Sequence, residues 1–209
     1  MAGVPEFAES NCTTPAFWDE RFAHNFVPWD KGAVPLQLQQ FVASQSTSGR
    51  CLIPGCGQGW EVALLADAGW QVDAIDFSAA AVARAQTQLQ QIGPWASCVR
   101  QADFFTLDQV EAYDVIYERA FLCALPVAQR QAIVQQWLRL LKPAARLAGF
   151  FYLDESAAAS PPKGPPFAIA SQQLHDLLLP HFVCLQDDAV PDSIAVFAGK
   201  ERWQVWQRL

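Results

Sequence analysis

From residue 50 onward, short runs of apolar residues alternate with longer segments in which apolar residues recur every three to four positions. Short apolar runs are typical of buried strands, and the longer spacing is typical of amphipathic helices. Strands are therefore predicted at residues 50–54, 71–75, 97–101, 113–117 and 146–152. Helices are predicted at residues 60–69, 78–93 and 126–143.

The predicted helices carry start and stop signals. Ser78 stands at the N-cap of the second helix, and Gly69 follows the first, where glycine commonly ends a helix. Pro126 and Pro143 flank the third helix. The predicted apolar face of that helix consists of Val134, Trp137, Leu138 and Leu141. Strands that alternate with helices in this way predict a parallel sheet covered on both faces.

The C-terminal part of the chain follows a different pattern. A helix is predicted at residues 171–180, and two β-rich runs follow at about 182–189 and 193–207 with no helix between them. Neighbouring strands joined by a short connection are antiparallel. The prediction is a doubly wound, Rossmann-like α/β fold whose seven-stranded, mostly parallel sheet ends in an antiparallel C-terminal hairpin. This arrangement is similar to that of S-adenosylmethionine (SAM) methyltransferases.

Composition narrows the classes of protein that this chain can represent. Hydrophobic residues make up 52% of the 209 residues and charged residues 17%, which predicts a single globular domain over residues 1–209. The formal net charge of −7 disfavours binding to nucleic acid or to an anionic membrane. With no recognisable secretory signal or long apolar span, a cytoplasmic location is expected. The six cysteines lack metal-binding spacing, so reduced thiols and no metal are expected.

A glycine-rich loop follows the first predicted strand. In "CLIPGCGQGWE", Gly55, Gly57 and Gly59 occupy alternate positions between a strand and a helix. Glycine permits a tight turn and a close approach of backbone N–H groups to a ligand. Asp76 ends the next strand, where a carboxylate can accept both hydroxyl hydrogens of a ribose. The GxGxG spacing suits SAM better than a dinucleotide.

The third predicted strand ends in "QADFF", at residues 101–105. Asp103 in this segment can accept a hydrogen bond from the amino group of adenine, and Phe104 can lie against the ring. The alternative is that Asp103 caps a helical turn and that both phenylalanines belong to the core. Glu61 and Phe77, which follow the glycine loop and the second strand, complete this part of the candidate cofactor site.

Four segments together carry a resemblance to a known family: "FWDERFAHNFVPWDKGAVP", "LIPGCGQGWE", "DFF" and "YERAFLCALP". In these segments and their order, the chain resembles the thiopurine methyltransferase family, including its halide and thiol methyltransferase branch. The resemblance implies N-terminal lid helices within residues 1–48 and a Rossmann-like core over residues 49–209. It also implies that Trp18, Phe22 and Trp29 line the pocket of the methyl donor.

The three lid aromatics suit a sulfonium cofactor, because the faces of aromatic rings attract cations. They would also keep water away from the methyl group that is transferred. The alternative is that all three are ordinary core residues of an amphipathic helix.

Two further positions bear on the branch of the family. Ile53 stands where methyltransferases generally carry an acid that holds the amino group of SAM, so backbone carbonyls of the loop would take that role. The loop "SPPKGPPF" at residues 160–167 resembles the "GPPY/F" loop that caps the active site in the halide and thiol branch. The second feature favours that branch over the thiopurine and tellurite enzymes.

Candidate acceptor-side residues follow the fourth and fifth predicted strands. Arg119 lies where the family places an active-site arginine and is expected to attract an anionic acceptor. The alternative is that Arg119 forms an ion pair with Glu118 or Asp114. Glu118 is also a candidate to face the SAM pocket. Tyr152 is the second candidate catalytic residue, and Tyr152 and Phe167 are either walls of the acceptor pocket or ordinary core residues.

These features predict a SAM-dependent methyltransferase that acts on a small-molecule thiol, thiopurine or halide and releases S-adenosylhomocysteine (SAH). In-line displacement requires mainly the alignment of nucleophile, methyl group and sulfur in a dry pocket. A soft anion needs no general base, whereas a neutral thiol benefits from a nearby cation or base. Two alternatives stay open: a methyltransferase for a nitrogen, oxygen or metalloid nucleophile, and a SAM-binding or nucleotide-binding module without turnover. A monomer or weak homodimer is expected.

Overall fold

The computed structural model describes residues 5–160 and 162–209. Residues 1–4 of the predicted lid and residue 161 of the predicted Pro-rich loop lie outside the described residues. Within the described ranges, seven strands form one sheet. They are β1 (Arg50–Pro54), β2 (Gln71–Asp76), β3 (Val99–Gln101), β4 (Tyr113–Arg119), β5 (Leu141–Tyr152), β6 (Phe182–Ala189) and β7 (Glu201–Arg208).

The strand order β3-β2-β1-β4-β5-β7-β6 confirms the predicted topology. Neighbouring strands from β1 to β5 pair in parallel, as expected for strands joined by crossover helices. β7 inserts between β5 and β6 and runs antiparallel to both. The direction of winding reverses between β1 and β4, and open α/β sheets bind ligands at the carboxyl ends of strands at such a reversal.

The described α-helices are α1 (Pro15–Ala23), α2 (Leu36–Ser44), α3 (Trp60–Asp67), α4 (Ala79–Ile92), α5 (Arg130–Leu140) and α6 (Ser171–Leu178). Ser78 caps α4 as predicted, because its Oγ accepts a hydrogen bond from the Ala81 N–H at 3.1 Å. Buried side chains of α2, α3 and α4 pack on one face of the sheet, and those of α5 and α6 pack on the other. The sheet is therefore covered on both faces, as expected.

The helix predicted at residues 126–143 is shorter in the structure. A short 3₁₀ turn precedes α5, and α5 ends at Leu140. Leu141, which the predicted apolar face included, is the first residue of β5 and pairs with Tyr113 of β4. Pro143 explains the early end, because its ring would collide with the preceding helical turn and restricts the residue before it.

Two predicted strands begin too early. β7 starts at Glu201 rather than at residue 193, and residues 190–200 form a loop that contains Pro191 and Gly199. Such residues favour turns over strands. β3 likewise starts at Val99, because the residues before it form a 3₁₀ turn. The loop before β7 is functionally relevant, since two of its residues reach the cavity described below.

The predicted N-terminal lid divides into two parts. α2 belongs to the core: Leu38 and Phe41 are buried, and the centre of the Phe41 ring lies 5.8 Å from that of Trp203 in β7. α1 instead packs against α4 at the rim of the sheet. The part of the chain that can cover a ligand is therefore α1 with the loop that follows it. That residues 1–209 form one domain stays a prediction.

Candidate active site

A cavity of about 780 Å³ lies at the carboxyl ends of β1, β2 and β4. Its volume is in the range typical of small-molecule sites. Most of the predicted site residues line it: Trp18, Phe22, Trp29, Gly55, Gly57, Glu61, Asp76, Phe77, Asp103, Phe104 and Arg119. Three predicted site residues are not in the described cavity wall: Gly59, Glu118 and Tyr152.

The glycine loop turns sharply between β1 and α3. Gly55 and Gly57 have φ angles of +61° and +53°, which disfavour residues with a side chain. A Cβ atom added at Gly55 would also lie 2.8 Å from the Phe121 ring. Glycine is therefore required here both by the backbone conformation and by the aromatic side chain that packs against it.

Asp76 lies at the end of β2, next to the glycine loop. Its Oδ2 accepts a hydrogen bond from the Gly57 N–H at 3.0 Å, and its Oδ1 accepts one from the Ser78 N–H at 2.9 Å. Burial raises the pKa of this carboxyl group to about 6, although the two N–H groups oppose the shift. Each carboxylate oxygen can accept a second hydrogen bond, so the group is held in place and can still bind ligand hydroxyls.

Asp103 and Phe104 have features of both interpretations from the sequence, a capped turn with a core aromatic residue and a part of the cofactor site. Asp103 Oδ1 accepts a hydrogen bond from the Phe105 N–H at 2.9 Å, as in a cap, and Asp103 also lines the cavity. Phe104 is buried, and its ring centre lies 5.0 Å from that of Phe121. A carboxylate and an aromatic ring therefore occur together on the β3 side of the cavity.

Gly59 and Tyr152 lie behind the wall. Gly59 precedes α3 with a φ of +70°, and a Cβ atom added there would lie 3.2 Å from Ala85 of α4. The Tyr152 ring centre is 5.5 Å from that of Phe197, which lines the cavity. In the structure, each residue supports a part of the wall and does not itself face the cavity.

Glu118 is buried beneath the cavity. Its Oε1 accepts hydrogen bonds from the backbone N–H groups of Phe121 and Leu122 at 3.0 and 2.8 Å. Burial raises the pKa of Glu118 to about 7. These contacts hold the turn after β4, which carries Phe121 of the cavity wall. Glu118 itself does not line the cavity.

The aromatic residues of the lid pack together above the cavity. The Trp29 ring centre lies 5.4 Å from that of Trp18 and 6.0 Å from that of Phe22, both in edge-to-face geometry. The Trp18 indole N–H donates to the Cys12 carbonyl at 2.8 Å. Trp18 and Phe22 are buried, Trp29 is half-buried against them, and all three line the cavity, so core packing and a role in the site are compatible.

Arg119 extends from the end of β4 into the cavity. Its ion pair is with Glu201 of β7, at 3.9 Å, and not with Glu118 or Asp114 as the alternative proposed. Asp114 pairs with Lys142 instead. Among the described residues, Arg119 Nε has no hydrogen-bond partner although it is buried. Because Nε is also inaccessible to solvent, the terminal N–H groups of this cavity-lining side chain are the donors that it can offer to a ligand.

Glu61 provides a buried acid close to the position where Ile53 replaces the usual one. It lies in the first turn of α3 and lines the cavity. The Tyr117 hydroxyl is 3.4 Å from its Oε1. Burial raises the pKa of Glu61, whereas Arg119 lowers it. The first turn of α3 thus carries the negative charge that β1 lacks.

Sequence reasoning missed several residues of the wall. Asp30 lines the cavity, accepts a hydrogen bond from the Trp60 indole N–H at 2.8 Å and bonds the Gln58 side-chain amide. It ties the lid loop to the glycine loop. The only sequence signal was its place directly after Trp29. Other missed wall residues include Phe121, Cys123, Val196 and Phe197.

Three further observations concern the described residues as a whole. No helix in residues 5–160 and 162–209 has the length and apolar character needed to cross a membrane. In the same ranges, no group of His, Cys, Asp and Glu side chains is arranged to hold a metal ion. All six cysteines are free.

The residues that are present fit a cationic nucleoside such as SAM. The carboxylate at the end of β2 suits ribose hydroxyls, and the β3 side offers an acceptor and an aromatic ring for adenine. Aromatic side chains of the lid suit a sulfonium. The acid on α3 matches the ammonium of an amino-acid group.

Comparison with known proteins gives a consistent result. The family model described as thiopurine S-methyltransferase matches residues 13–209. Thiocyanate methyltransferase 1 of Brassica oleracea is 30% identical over 198 residues, which cover 92% of this chain and 84% of that protein. Thiopurine S-methyltransferase of Pseudomonas putida is 30% identical over 177 residues, which cover 77% of this chain and 80% of that protein.

A solved structure shares the fold at lower identity. It is the 1,6-didemethyltoxoflavin-N1-methyltransferase of Burkholderia thailandensis, solved with its substrate and SAH. The TM-score is 0.73 at 15% identity, and the match covers 93% of this chain and 86% of that one. This likeness supports the methyltransferase fold inferred from the strand order.

Proposed function

The chain belongs to the thiopurine S-methyltransferase family, and we propose that this SAM-dependent methyltransferase acts on the sulfur atom of a small-molecule thiol. One observation carries the proposal: the buried carboxylate of Asp76 and the guanidinium side chain of Arg119 line one aromatic-roofed cavity. The carboxylate suits a nucleoside cofactor, and the guanidinium suits an anionic sulfur. The acceptors named for the two relatives, thiocyanate and thiopurine, both offer a sulfur nucleophile.

The cofactor side of the cavity consists of residues that follow β1, β2 and β3. When bound, SAM supplies a methyl group that is activated by the sulfonium charge. Asp76 accepts the ribose hydroxyls, and its bonds to the Gly57 and Ser78 N–H groups keep it oriented. Asp103 and Phe104 bind the adenine, so their positions fix the nucleoside end of the cofactor.

Glu61 is the residue that we assign to the ammonium group of the cofactor, instead of backbone carbonyls alone. It is buried in the cavity wall, and Ile53 offers no charge at the usual position. An ionised carboxylate that pairs with an ammonium avoids the cost of an uncompensated buried charge. Burial raises the pKa of Glu61, and a neighbouring ammonium would lower it, so the bound cation would favour the carboxylate.

Trp18, Phe22 and Trp29 act on the transferring end of the cofactor. Their ring faces stabilise a sulfonium, and their packing excludes water from the methyl group. Catalysis then depends mainly on alignment, which can contribute effective molarities of about 10⁵–10⁸ M.

Arg119 attracts and orients the sulfur acceptor. A cation next to a thiol lowers the pKa of that thiol and increases the fraction present as thiolate, which is the nucleophile. Halides are soft anions too and are the second class of acceptor that this group could attract. Tyr152, which packs behind Phe197, shapes this side of the cavity without touching the acceptor.

The setting of the reaction is part of the proposal. The cavity lies beneath a roof of lid and loop residues, which suits a small molecule and not a nucleic acid, as does the net charge of −7. Six free cysteines favour a reducing compartment such as the cytoplasm. A monomer or weak homodimer stays a prediction.

A panel of acceptors tests the proposed function. Methyl transfer from labelled SAM should be fastest to benzenethiol, hydrosulfide, thiocyanate and a thiopurine, slower to iodide, and undetectable with amines and phenols. Asp76→Ala should weaken SAH binding about tenfold to a hundredfold, because hydrogen bonds to a charged group contribute about 1.5–3 kcal/mol. Arg119→Ala should weaken SAH binding much less and should mainly reduce transfer to thiols.

Other outcomes would decide for another function. Preferred transfer to an amine, hydroxyl or metalloid acceptor would contradict the sulfur assignment. SAH binding without transfer to any acceptor would favour a module that binds SAM without turnover. Equal losses of SAH affinity in the two variants would contradict the assigned roles of Asp76 and Arg119.

A further inference from the structure

We propose that Arg130 is a positioning residue that holds residues 162–168 in the shape that forms the acceptor-side wall of the cavity. These residues are the part of the Pro-rich loop after residue 161, together with Ala168, and are called the Pro-rich loop below. The inference rests on the proposed function, because an acceptor-side wall has meaning only if the cavity takes an acceptor. Arg130 is the first residue of α5 and does not line the cavity. It would act through the loop.

The contacts of Arg130 converge on two consecutive residues of the loop. Its guanidinium donates to the carbonyl oxygens of Phe167 and Ala168, at 3.0 and 2.6 Å. The Phe167 N–H in turn donates to the Cys123 carbonyl at 2.6 Å. Three hydrogen bonds therefore attach this part of the loop to α5 and to the turn after β4.

The environment of Arg130 indicates that these hydrogen bonds are the main interactions that offset the free-energy cost of burying its charged side chain. The side chain is 7% exposed. Within residues 5–160 and 162–209 it forms no salt bridge, and its Nε has no hydrogen-bond partner. A buried charge without a counter-ion is unfavourable unless it is hydrogen-bonded. The guanidinium and the loop carbonyls therefore depend on each other.

The loop that Arg130 holds belongs to the cavity. Gly164, Pro165 and Pro166 line it, and Phe167 packs against the aromatic cluster of the lid. The loop follows β5 and contacts the turn after β4, whereas the residues assigned to the nucleoside follow β1, β2 and β3. Movement of the loop would therefore change the acceptor side and leave the nucleoside side intact.

Arg139 provides a matched control on the same helix. Its guanidinium also donates to two loop carbonyls, those of Leu107 and Asp108, at 3.2 and 2.9 Å. Neither residue lines the cavity. R139M therefore removes the same kind of contact from α5 without touching the Pro-rich loop.

The experiment compares R130M, R130K and R139M by steady-state kinetics with benzenethiol and by calorimetry with SAH. R130M should raise KM for benzenethiol about tenfold, the size expected for lost hydrogen bonds to a charged group, and should change the Kd of SAH less than about twofold. R130K keeps a donor and should recover part of the loss. R139M should leave KM and Kd within about twofold of wild type.

Trypsin gives a readout that does not depend on activity. Lys163 is exposed in the Pro-rich loop and is followed by glycine, so the bond after it is a substrate for trypsin. If Arg130 holds the loop, cleavage after Lys163 should be at least about fivefold faster in R130M than in R139M. If R130M does not fold, R130K should show the same changes to a smaller extent.

The outcomes separate the two proposals. Unchanged cleavage in R130M and R130K, or a rise in the Kd of SAH as large as that in KM, would overturn the positioning role. If the wild-type protein methylates no thiol, the proposed function fails, and the cleavage rates still decide whether Arg130 holds the loop.

Discussion

The carboxyl group of Asp76 experiences two opposing influences. Burial raises its pKa to about 6 from a normal value of 3.8, so this carboxyl group is protonated more readily than an exposed one. A ribose with two hydroxyl donors favours the carboxylate, which only accepts hydrogen bonds. Because the folded-state pKa is raised, the stability from the protonated group is lost as the pH rises through about 6. The affinity for a ligand that donates to the carboxylate has the opposite dependence on pH and rises as the pH rises.

SAH affinity should therefore fall as the medium becomes acidic. Between pH 7.5 and 5, the Kd of SAH should be nearly constant above about pH 7 and should approach a tenfold increase per pH unit below about 6, since binding must first remove a proton. Calorimetry at several pH values measures this directly. Asp19 on α1 also faces Asp76, so its charge contributes to the shift.

Asp76→Asn is the control for this pH dependence. The amide cannot lose a proton in this range, so the variant should bind SAH weakly and with a smaller dependence on pH, the remainder coming from Glu61, whose pKa is also raised by burial. A wild-type Kd that is constant from pH 5 to 7.5 would show that Asp76 is already ionised in the free protein.

Single residues could be predicted from the sequence where a motif fixes the backbone around them. Gly57 follows from a strand that ends in a glycine loop, and Asp76 follows from the acid that ends the next strand. Glu118 and Tyr152 end strands as well, but whether such a side chain enters the cavity depends on local contacts. Glu118 turns to the N–H groups of the next turn, and no spacing in the sequence encodes that choice.

At the scale of elements, α1 is attached to the cofactor side through the start of α4. Asp19 Oδ1 accepts hydrogen bonds from the Ser78 hydroxyl at 2.6 Å and from the Ala80 N–H at 3.0 Å. A carboxylate at a helix N-terminus also interacts favourably with the helix dipole. Since Trp18 and Phe22 flank Asp19 on α1, this contact sets the position of the aromatic wall.

Asp19→Ala should loosen α1. It leaves the Ala80 N–H without its acceptor, which resembles the loss of a helix cap and should lower the free energy of unfolding by about 1 kcal/mol. SAH affinity should fall several-fold as well, because the wall above the sulfonium is displaced. Urea denaturation and calorimetry measure the two effects.

Glu20→Ala is the matched control for Asp19→Ala. Glu20 is the next residue of α1, and its Oε2 accepts a hydrogen bond from the Glu9 N–H at 3.0 Å without reaching α4. This variant should leave SAH affinity nearly unchanged. Equal losses of SAH affinity in both variants would contradict a specific role for the contact with α4.

Whole elements were predictable wherever one local signal dominated. The apolar runs predicted the five parallel strands, because buried strands of a parallel sheet need continuous apolar sequence, and two further β-rich runs predicted β6 and β7. The predicted boundaries of elements were wrong where two sequence signals conflicted. The pattern of α5 continues into Leu141, yet pairing with β4 assigns that residue to β5. The aromatic and valine residues at 193–200 resemble a strand, but there the turn formers determine the conformation.

At the scale of the whole molecule, three segments distant in sequence form the roof of the cavity. They are α1 with the loop after it, the Pro-rich loop, and residues 190–200. Lys31 of the first segment donates to the Asp192 carbonyl and carboxylate of the third, at 2.6 and 2.7 Å. Phe167 of the Pro-rich loop packs against the aromatic cluster of the first. No local pattern predicts such contacts, because they exist only once the sheet has formed.

A roof built from linked segments should respond to a ligand as one unit. Its contacts are few, and the pair between Lys31 and Asp192 is partly exposed, so local opening should be frequent in the free protein. In the proposed function, SAH binds against the aromatic residues of the first segment. Saturating SAH should therefore slow amide exchange in peptides from residues 15–31 and 190–200 together, and to a smaller extent in peptides from residues 162–169, as measured by mass spectrometry.

α6 supplies the internal reference for this measurement. It packs on the other face of the sheet, in the cluster that includes Trp206, and none of its residues lines the cavity. Its exchange should change little, because exchange there reports opening of the core. Slowed exchange confined to the glycine loop and the end of β2 would mean that the three segments open independently. The ligand would then bind beneath a roof that does not close over it.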